Sequence, residues 1–559
     1  MLANHVEKPF WVNKFVWLAG FVLLINVIQA CSSALLNDEP YYWIYARYLS
    51  WGYFDHPPMI ALLIKLGGLI ASGEIGVRLL PLILGSGTFY LICKIIDDET
   101  EGEVNFRLLA MLLLSSLFLN LYSFLAIPDT PLLFFGTLFL YIYRKYLRED
   151  SITNALFLGL IAALLLYSKY HGILVIALTF ISNLQVLRRR SFYLIVFVAI
   201  ALYAPHIWWQ IKHDYPTIRF QFAGRSGGLG IQHTLSYLGE QAAVTGPVVL
   251  LLFSILYKPA DQFQKTLKYN AIGVFVFFLI SSLKAMVNVH WTAIAWPPMI
   301  CLAYLYIDKL KTGTKFIYGL LIANLIAVIV LRLDLSLNWF GISNFNDKNP
   351  KLMASTLAQE AGGRPLVFDN SYNEPSYYTF YTGQECFAVN DIWYKKTQYN
   401  YLPQLEQKFQ DKAVTYVSDG PVDKTSREIS IPQGKKYYLT FIDHFNSFTG
   451  VDVRVSTPVS SLKHAAETTM QVVINAPQQY IARLKSTEAY IIIAFTNNRT
   501  QQVVYNKYPL LPGFDNGRPF QVPFRAPLIP GNYRYQFSIV AKQHVGVEYN
   551  SNVYNCTVN

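Results

Sequence analysis

The chain has 559 residues, 53% of them hydrophobic and only 14% charged, against roughly 25% charged in an ordinary soluble domain, which excludes a single water-soluble globule. Its net charge of +11 comes from Lys and Arg in short loops between apolar runs, without a zinc-finger, RNA-recognition or basic-helix pattern, so nucleic acid is set aside as a partner. The five cysteines give no disulfide framework: Cys31, Cys93 and Cys301 fall in or beside apolar runs, and only Cys386 and Cys556 lie in the polar part.

Apolar runs of the length that crosses a bilayer fall near 12–33, 75–96, 106–125, 130–147, 152–168, 172–187, 192–210, 241–257, 269–284, 291–308 and 315–332. They predict a polytopic helical membrane domain over 1–332, with about eleven crossings. The first run is too long for a signal peptide and lacks a small-residue cleavage site, so it reads as an anchor. Every second loop but one is basic: Lys8 and Lys14, then Arg144, Lys145 and Arg148, then Arg188, Arg189 and Arg190, then Lys258, Lys265 and Lys268, then Lys309, Lys311 and Lys315; only the 97–105 loop, with Asp97, Asp98, Glu99, Glu101 and Glu103, is net acidic, and acidic residues weigh little in the rule. Basic loops stay cytoplasmic, which puts the N-terminus inside and, after an odd number of crossings, 333–559 outside.

Between the first two crossings, 34–74 is no plain loop. Residues 40–51 (PYYWIYARYLSW) are aromatic and amphipathic, and 57–72 (PPMIALLIKLGGLIAS) are apolar, short and centred on Lys65, which reads as an interfacial segment. The tyrosines Tyr41, Tyr42, Tyr45 and Tyr48 with Trp43 read chiefly as an interfacial aromatic belt. After the last crossing, 333–432 mixes strand-like and helix-like runs, predicting a small α/β module. From 433 to 559 short β-rich runs such as KKYYLTFIDHF, TTMQVVINA and EAYIIIAFT alternate with Pro, Gly and Asn turns, the pattern of a β-sandwich.

The topology gathers ionisable groups on the outer face. Asp38 and Glu39 follow the first crossing, His56 precedes a proline pair, and Asp129 sits in the tight turn Pro128–Asp129–Thr130–Pro131. Lys169 and His171 occupy the next outer turn, Arg225 a glycine-rich loop, and Lys284 and His290 the last outer turn of the set. A charge at membrane depth costs about 2.5–3.5 kcal/mol on insertion scales. A snorkelling helix end explains any one of these residues equally well; their convergence does not need to be explained that way. Acids and cations on one face suit a carboxylate that takes a proton from an acceptor hydroxyl, beside donors and cations that stabilise a departing phosphate. No glycine-rich phosphate loop and no Rossmann unit is present, which fits a donor carried by membrane lipid.

Taken in order, Asp38–Glu39, Tyr41–Tyr42–Trp43, Trp51–Gly52–Tyr53–Phe54–Asp55–His56–Pro57–Pro58, Pro128–Asp129–Thr130–Pro131, Ser168–Lys169–Tyr170–His171–Gly172 and His213–Asp214 resemble bacterial polyprenyl-phosphate-sugar-dependent glycosyltransferases of the GT-C fold. That group includes protein O-mannosyltransferases and the lipid A aminoarabinose transferase. The resemblance covers roughly 12–332. It implies Asp38 as catalytic base with Glu39 beside it, and Asp129 as the second acidic residue of the acceptor or base site. His56 stands where the aminoarabinose transferase has a lysine near the lipid phosphate. Lys169, His171, Arg225, Lys284 and His290 are phosphate- or donor-binding candidates on charge and side alone. The expected partners are a polyprenyl-phosphate-linked sugar donor, membrane lipid, and a glycan, lipid or protein acceptor. No metal site is legible and no cofactor is expected to be obligatory, a divalent cation between Asp38 and Asp129 being at most accessory. The implied place is the bacterial inner membrane, with the C-terminal modules periplasmic. A lipid-linked sugar flippase is the alternative, but internal repeats and matched broken helices are absent from the sequence. A glycan receptor anchored by its helices would need neither the outer acids nor so many crossings.

Overall fold

The computed structural model describes residues 13–36, 38–223, 230–243, 247–339, 349–392, 394–431, 435–486, 489–510, 515–541 and 548–559. The chain divides into two units, Met1–Asn346 and Asp347–Asn559.

The first unit is helical. In chain order its helices are α1 (Lys14–Ser32), α2 (Glu39–Arg47), α3 (Met59–Gly68), α4 (Gly73–Glu99), α5 (Phe106–Leu114), α6 (Leu117–Tyr122), α7 (Asp129–Arg148) and α8 (Ile152–Ser168). They continue as α9 (Gly172–Ser182), α10 (Arg190–Lys212), α11 (Pro216–Ala223), α12 (Ile231–Ala243), α13 (Pro247–Leu256), α14 (Gln262–Ser282), α15 (Trp296–Ile307) and α16 (Thr314–Leu337). Several start where a polar side chain takes an orphan backbone N–H: Asn13 caps α1, Asn105 α5, Ser151 α8 and Asp261 α14. Among the described residues four helices, α1, α4, α10 and α16, are long and apolar enough to cross a bilayer. Each predicted run falls on a helix or a broken pair. The run 106–125 breaks at Ser115–Ser116 into α5 and α6, and 291–308 opens as a 3-10 turn, Val289–Ala295, that leads into α15.

Chain direction alone sorts the polar groups to two ends. The α7 axis rises about 1.5 Å per residue, so Asp129 at its start and Arg144 near its finish lie roughly 20 Å apart. At the Arg144 end, its Nη1 donates to Asp98 Oδ2 at 2.7 Å, its Nε pairs with Glu99, and Gln264 Nε2 donates to Glu99 Oε2 at 2.9 Å. This network joins α4, α7 and α14. The Asp129 end receives the finish of α1, α8, α10 and α14 and the start of α4 and α9.

The 34–74 segment corrects one sequence reading. Tyr41, Tyr42 and Tyr45 are buried rather than spread at an interface: Tyr45 stacks on Tyr53 at 4.1 Å between centroids and meets Tyr41 and Tyr42 edge-on. Hydrophobicity placed these rings near the membrane; only tertiary packing turns them inward. By contrast α3 exposes Leu62 and Leu66, and Leu69 and Ile70 follow it on the surface, as an interfacial segment would. Gly52 is required where it stands, because a Cβ there would lie 2.4 Å from the Trp209 ring.

The second unit holds the β structure. Its helices are α17 (Pro350–Glu360), α18 (Asn373–Thr382), α19 (Pro403–Glu406) and α20 (Gln478–Ser486), and its strands are β1 (Leu366–Asp369), β2 (Phe387–Val389), β3 (Lys412–Ser418), β4 (Arg427–Ser430), β5 (Lys436–Phe445), β6 (Asp452–Val455), β7 (Ser461–Leu462), β8 (Glu467–Asn475), β9 (Ala489–Asn497), β10 (Val503–Pro509), β11 (Pro519–Arg525), β12 (Gly531–Ala541) and β13 (Tyr554–Val558). One sheet runs β2-β1-β3-β5-β4, with β1 parallel to β2 and β3. Two further sheets, β10-β9-β12-β13-β7 and β11-β8-β6, face each other over a core that includes Val472, Ile474, Ile493, Phe495, Phe537 and Ile539. The boundary expected at 433 moves. Residues 436–445, read as the first strand of the sandwich, instead pair antiparallel with β3 (Tyr416 opposite Thr440) and belong to the α/β sheet. Alternation specifies a strand and its inner face, not which sheet receives it. Cys386 and Cys556 are buried free thiols.

At the carboxyl end of β1, Asp369 accepts a hydrogen bond from Tyr416 Oη at 2.9 Å. Burial pushes its carboxyl up to about 7, with the charges of Asp391 and Asp419 adding to the rise against the Tyr416 bond. The folded group therefore holds its proton over a range in which the unfolded one, near its ordinary value of about 4, has lost it. Its contribution to stability is full below about pH 4, falls as pH rises toward 7, and stays low above. Asp369→Asn keeps an acceptor for Tyr416 and removes the titration. The variant is expected to melt above the parent at pH 8 and level with it at pH 4; an equal margin at both pH values would contradict the assignment.

Candidate active site

The site grows from the turns at one end of the helical unit. Asp129 opens α7 and is 5% exposed. Lys169, in the turn between α8 and α9, reaches it from 40 positions away: Nζ lies 2.8 Å from both Oδ1 and Oδ2. Two residues on, His171 precedes α9. Its ring packs against Phe278 and Trp291, each at 5.2 Å between centroids, and its Nδ1 is buried with no hydrogen-bond partner among the described residues. His290, from the 3-10 turn before α15, lies with its ring 6.4 Å from that of Tyr122. Lys169, His290 and His171 all act electrostatically on Asp129, and His171 feels Lys169, Asp129, His290 and His56 together. Asp129, Lys169, His171 and His290 thus gather from three turns, and His56 acts on His171 from a fourth.

His56 enters from the 34–74 segment. Its Nδ1 is 3.1 Å from Asp55 Oδ1, the oxygen to which Tyr45 Oη donates at 2.5 Å, and its ring meets Tyr42 at 5.4 Å. That segment is fastened to the helices by His206, which is 1% exposed. Its Nδ1 bonds Trp51 O at 2.7 Å and its Nε2 bonds Tyr170 Oη at 2.9 Å. Gln210 and Thr217 extend this network, Thr217 Oγ1 donating to Phe54 O at 2.9 Å.

Asp38 is the N-cap of α2, half-buried, its carbonyl accepting from Tyr42 N at 2.9 Å. Glu39 is not at the mouth beside it. It is 0% exposed: Arg78 Nε donates to Oε1 at 2.8 Å and Nη2 to Oε2 at 2.5 Å, while Ala126 N donates to Oε1 at 2.8 Å and Leu36 N to Oε2 at 2.7 Å. The structure thereby joins the segment carrying Asp38 to the segment leading into Asp129. Arg78 was not singled out from sequence, yet an arginine inside an apolar helix is the signal that could have found it, since such a charge is buried only when paired.

The remaining candidates separate. Lys284 is exposed just past the end of α14 and pairs with no carboxylate among the described residues. Arg225 lies outside the described residues.

Residues 55–209 match the family model described as dolichyl-phosphate-mannose-protein mannosyltransferase. A curated relative, lipid A galacturonosyltransferase RgtD of Rhizobium johnstonii, is 27% identical over 298 residues, 50% of this chain. The matched part spans 62% of that relative's length. ArnT from Cupriavidus metallidurans superposes in its apo state with a TM-score of 0.58 and 14% identity, over 77% of this chain and 97% of ArnT. The same protein bound to undecaprenyl phosphate gives a TM-score of 0.54 at the same identity and coverage. The chain therefore shares the fold of ArnT and, over part of its length, resembles these glycosyltransferases in sequence.

Proposed function

We propose that the chain moves a sugar from a polyprenyl-phosphate donor to an acceptor outside the cytoplasm, inverting the anomeric carbon. The observation that carries this reading is the buried Asp129–Lys169 pair with His171 and His290 about it, in a segment that Glu39 ties to the one carrying Asp38. A phosphodiester anion placed there would meet cations and N–H donors that strengthen as charge develops on it. Asp38 would accept the proton of the acceptor hydroxyl as its oxygen attacks the anomeric carbon. The carbon–oxygen bond to phosphate breaks, and its electron pair leaves with the polyprenyl phosphate. The apolar helices would seat the lipid tail. The curated relative's lipid A acceptor and the polyprenyl ligand of ArnT support a lipid-linked donor and an envelope glycan or lipid as acceptor. The basic-loop pattern supports about eleven crossings of an inner membrane, an inside N-terminus, and an outside second unit that presents or selects the acceptor.

Proteoliposomes loaded with a labelled polyprenyl-phosphate sugar test this. Label transferred to an envelope glycolipid acceptor, with the opposite anomeric configuration, is expected. Donor carried across the bilayer without consumption would instead identify a flippase.

A further inference from the structure

We infer that Arg78 is a positioning residue which, through Glu39, holds the two acid-bearing segments of the site in one register. This deepens the reading above and rests on it for its kinetic consequence. Arg78 is 0% exposed. Besides its two bonds to Glu39, its Nη1 donates to Ala30 O at 3.3 Å, Ser33 O at 2.9 Å and Ser33 Oγ at 3.0 Å, and its Nη2 donates to Ala34 O at 2.8 Å. One guanidinium therefore closes the finish of α1 and grips the carboxylate at the start of α2. That carboxylate takes the N–H of Leu36, two residues before Asp38, and the N–H of Ala126, three before Asp129. On the far side Thr130 Oγ1 donates to Tyr122 O at 2.7 Å and Leu125 O at 2.6 Å, so the Ala126 turn is closed on itself and moves as a piece with Asp129.

Two consequences follow from this geometry. Both oxygens of Glu39 already hold two donors each, filling a carboxylate's acceptor sites, so Glu39 has no lone pair to offer an acceptor proton and acts through the segments it holds. The clamp also needs a planar fork with several fixed donors, which Arg supplies and Lys, a point charge on a flexible stem, does not. Arg78→Lys keeps the charge and discards the fork.

The test measures amide exchange at Leu36 and Ala126 in the full-length protein in lipid nanodiscs, together with transfer kinetics. In Arg78→Lys and in Glu39→Gln, exchange at the two amides is expected to rise together by tenfold or more, because one carboxylate serves both. The turnover number should fall about 10- to 100-fold, the scale of an ångström-level misplacement, with donor KM little changed. Parental turnover in both variants would overturn the proposal. So would turnover lost in Glu39→Gln with both amides still protected, which would put Glu39 in the chemistry. If Glu39→Gln fails to fold, Arg78→Lys decides alone. Should the parent protein transfer no sugar from any polyprenyl donor, the functional reading fails, while the paired amides still decide the clamp.

Discussion

Asp38→Asn is expected to lower the turnover number roughly 100- to 10,000-fold, the usual contribution of a positioned general base, while leaving thermal unfolding and donor KM close to the parent values. Asp38 caps α2 and is flanked by Glu39, whose carboxylate is fixed by four donors, so the backbone that presents Asp38 is held from both sides. Asn keeps the size and loses the basicity. Single-turnover transfer with saturating donor separates this from a binding defect. Parental turnover by the variant would remove Asp38 from the reaction.

Lys169→Met is the second large effect, and it acts on two observables. Asp129 is buried and both its oxygens are engaged by one ammonium at 2.8 Å. Removing that partner leaves a carboxylate in a low-dielectric site, which costs about 3–5 kcal/mol when a buried pair is broken on one side. Replacing both members by neutral groups avoids the unpaired charge. The double variant Asp129→Asn, Lys169→Met is therefore expected to regain most of the lost stability and none of the lost transfer, because the cation aimed at the donor phosphate is still missing. Thermal unfolding in detergent and donor KM read the two halves separately. Recovery of transfer in the double variant would show that Lys169 serves only to neutralise Asp129.

How much of this was legible in the sequence depends on the range of the interaction concerned. The apolar runs were legible because the bilayer fixes their length, and each lands on a helix or a broken pair. Where a helix breaks was not: Ser115–Ser116 and the 3-10 turn at Val289–Ala295 follow from local packing that no hydropathy run encodes. The residue types of the site could be read, since Asp129, Lys169, His171, His290 and His56 are ionisable groups in turns beside apolar runs. That Lys169 closes on Asp129 is set by the way α7, α8 and α9 meet. Glu39 beside Asp38 looked like a second carboxylate at the mouth. Only Arg78, hidden inside the apolar run 75–96, shows why it points inward. In the second unit, alternation identified the strands but assigned 436–445 to the wrong sheet, since both sheets demand the same pattern.

The most direct test of the account is a cryo-EM map of the full chain in nanodiscs with polyprenyl phosphate bound. The account predicts the phosphate within about 3 Å of Lys169 Nζ, in reach of His171 and His290, with the lipid tail among the membrane helices and Asp38 facing the anomeric position. A headgroup resolved at the Arg144–Glu99 end of the helices, or one that leaves the Asp129–Lys169 pair closed and untouched, would contradict it.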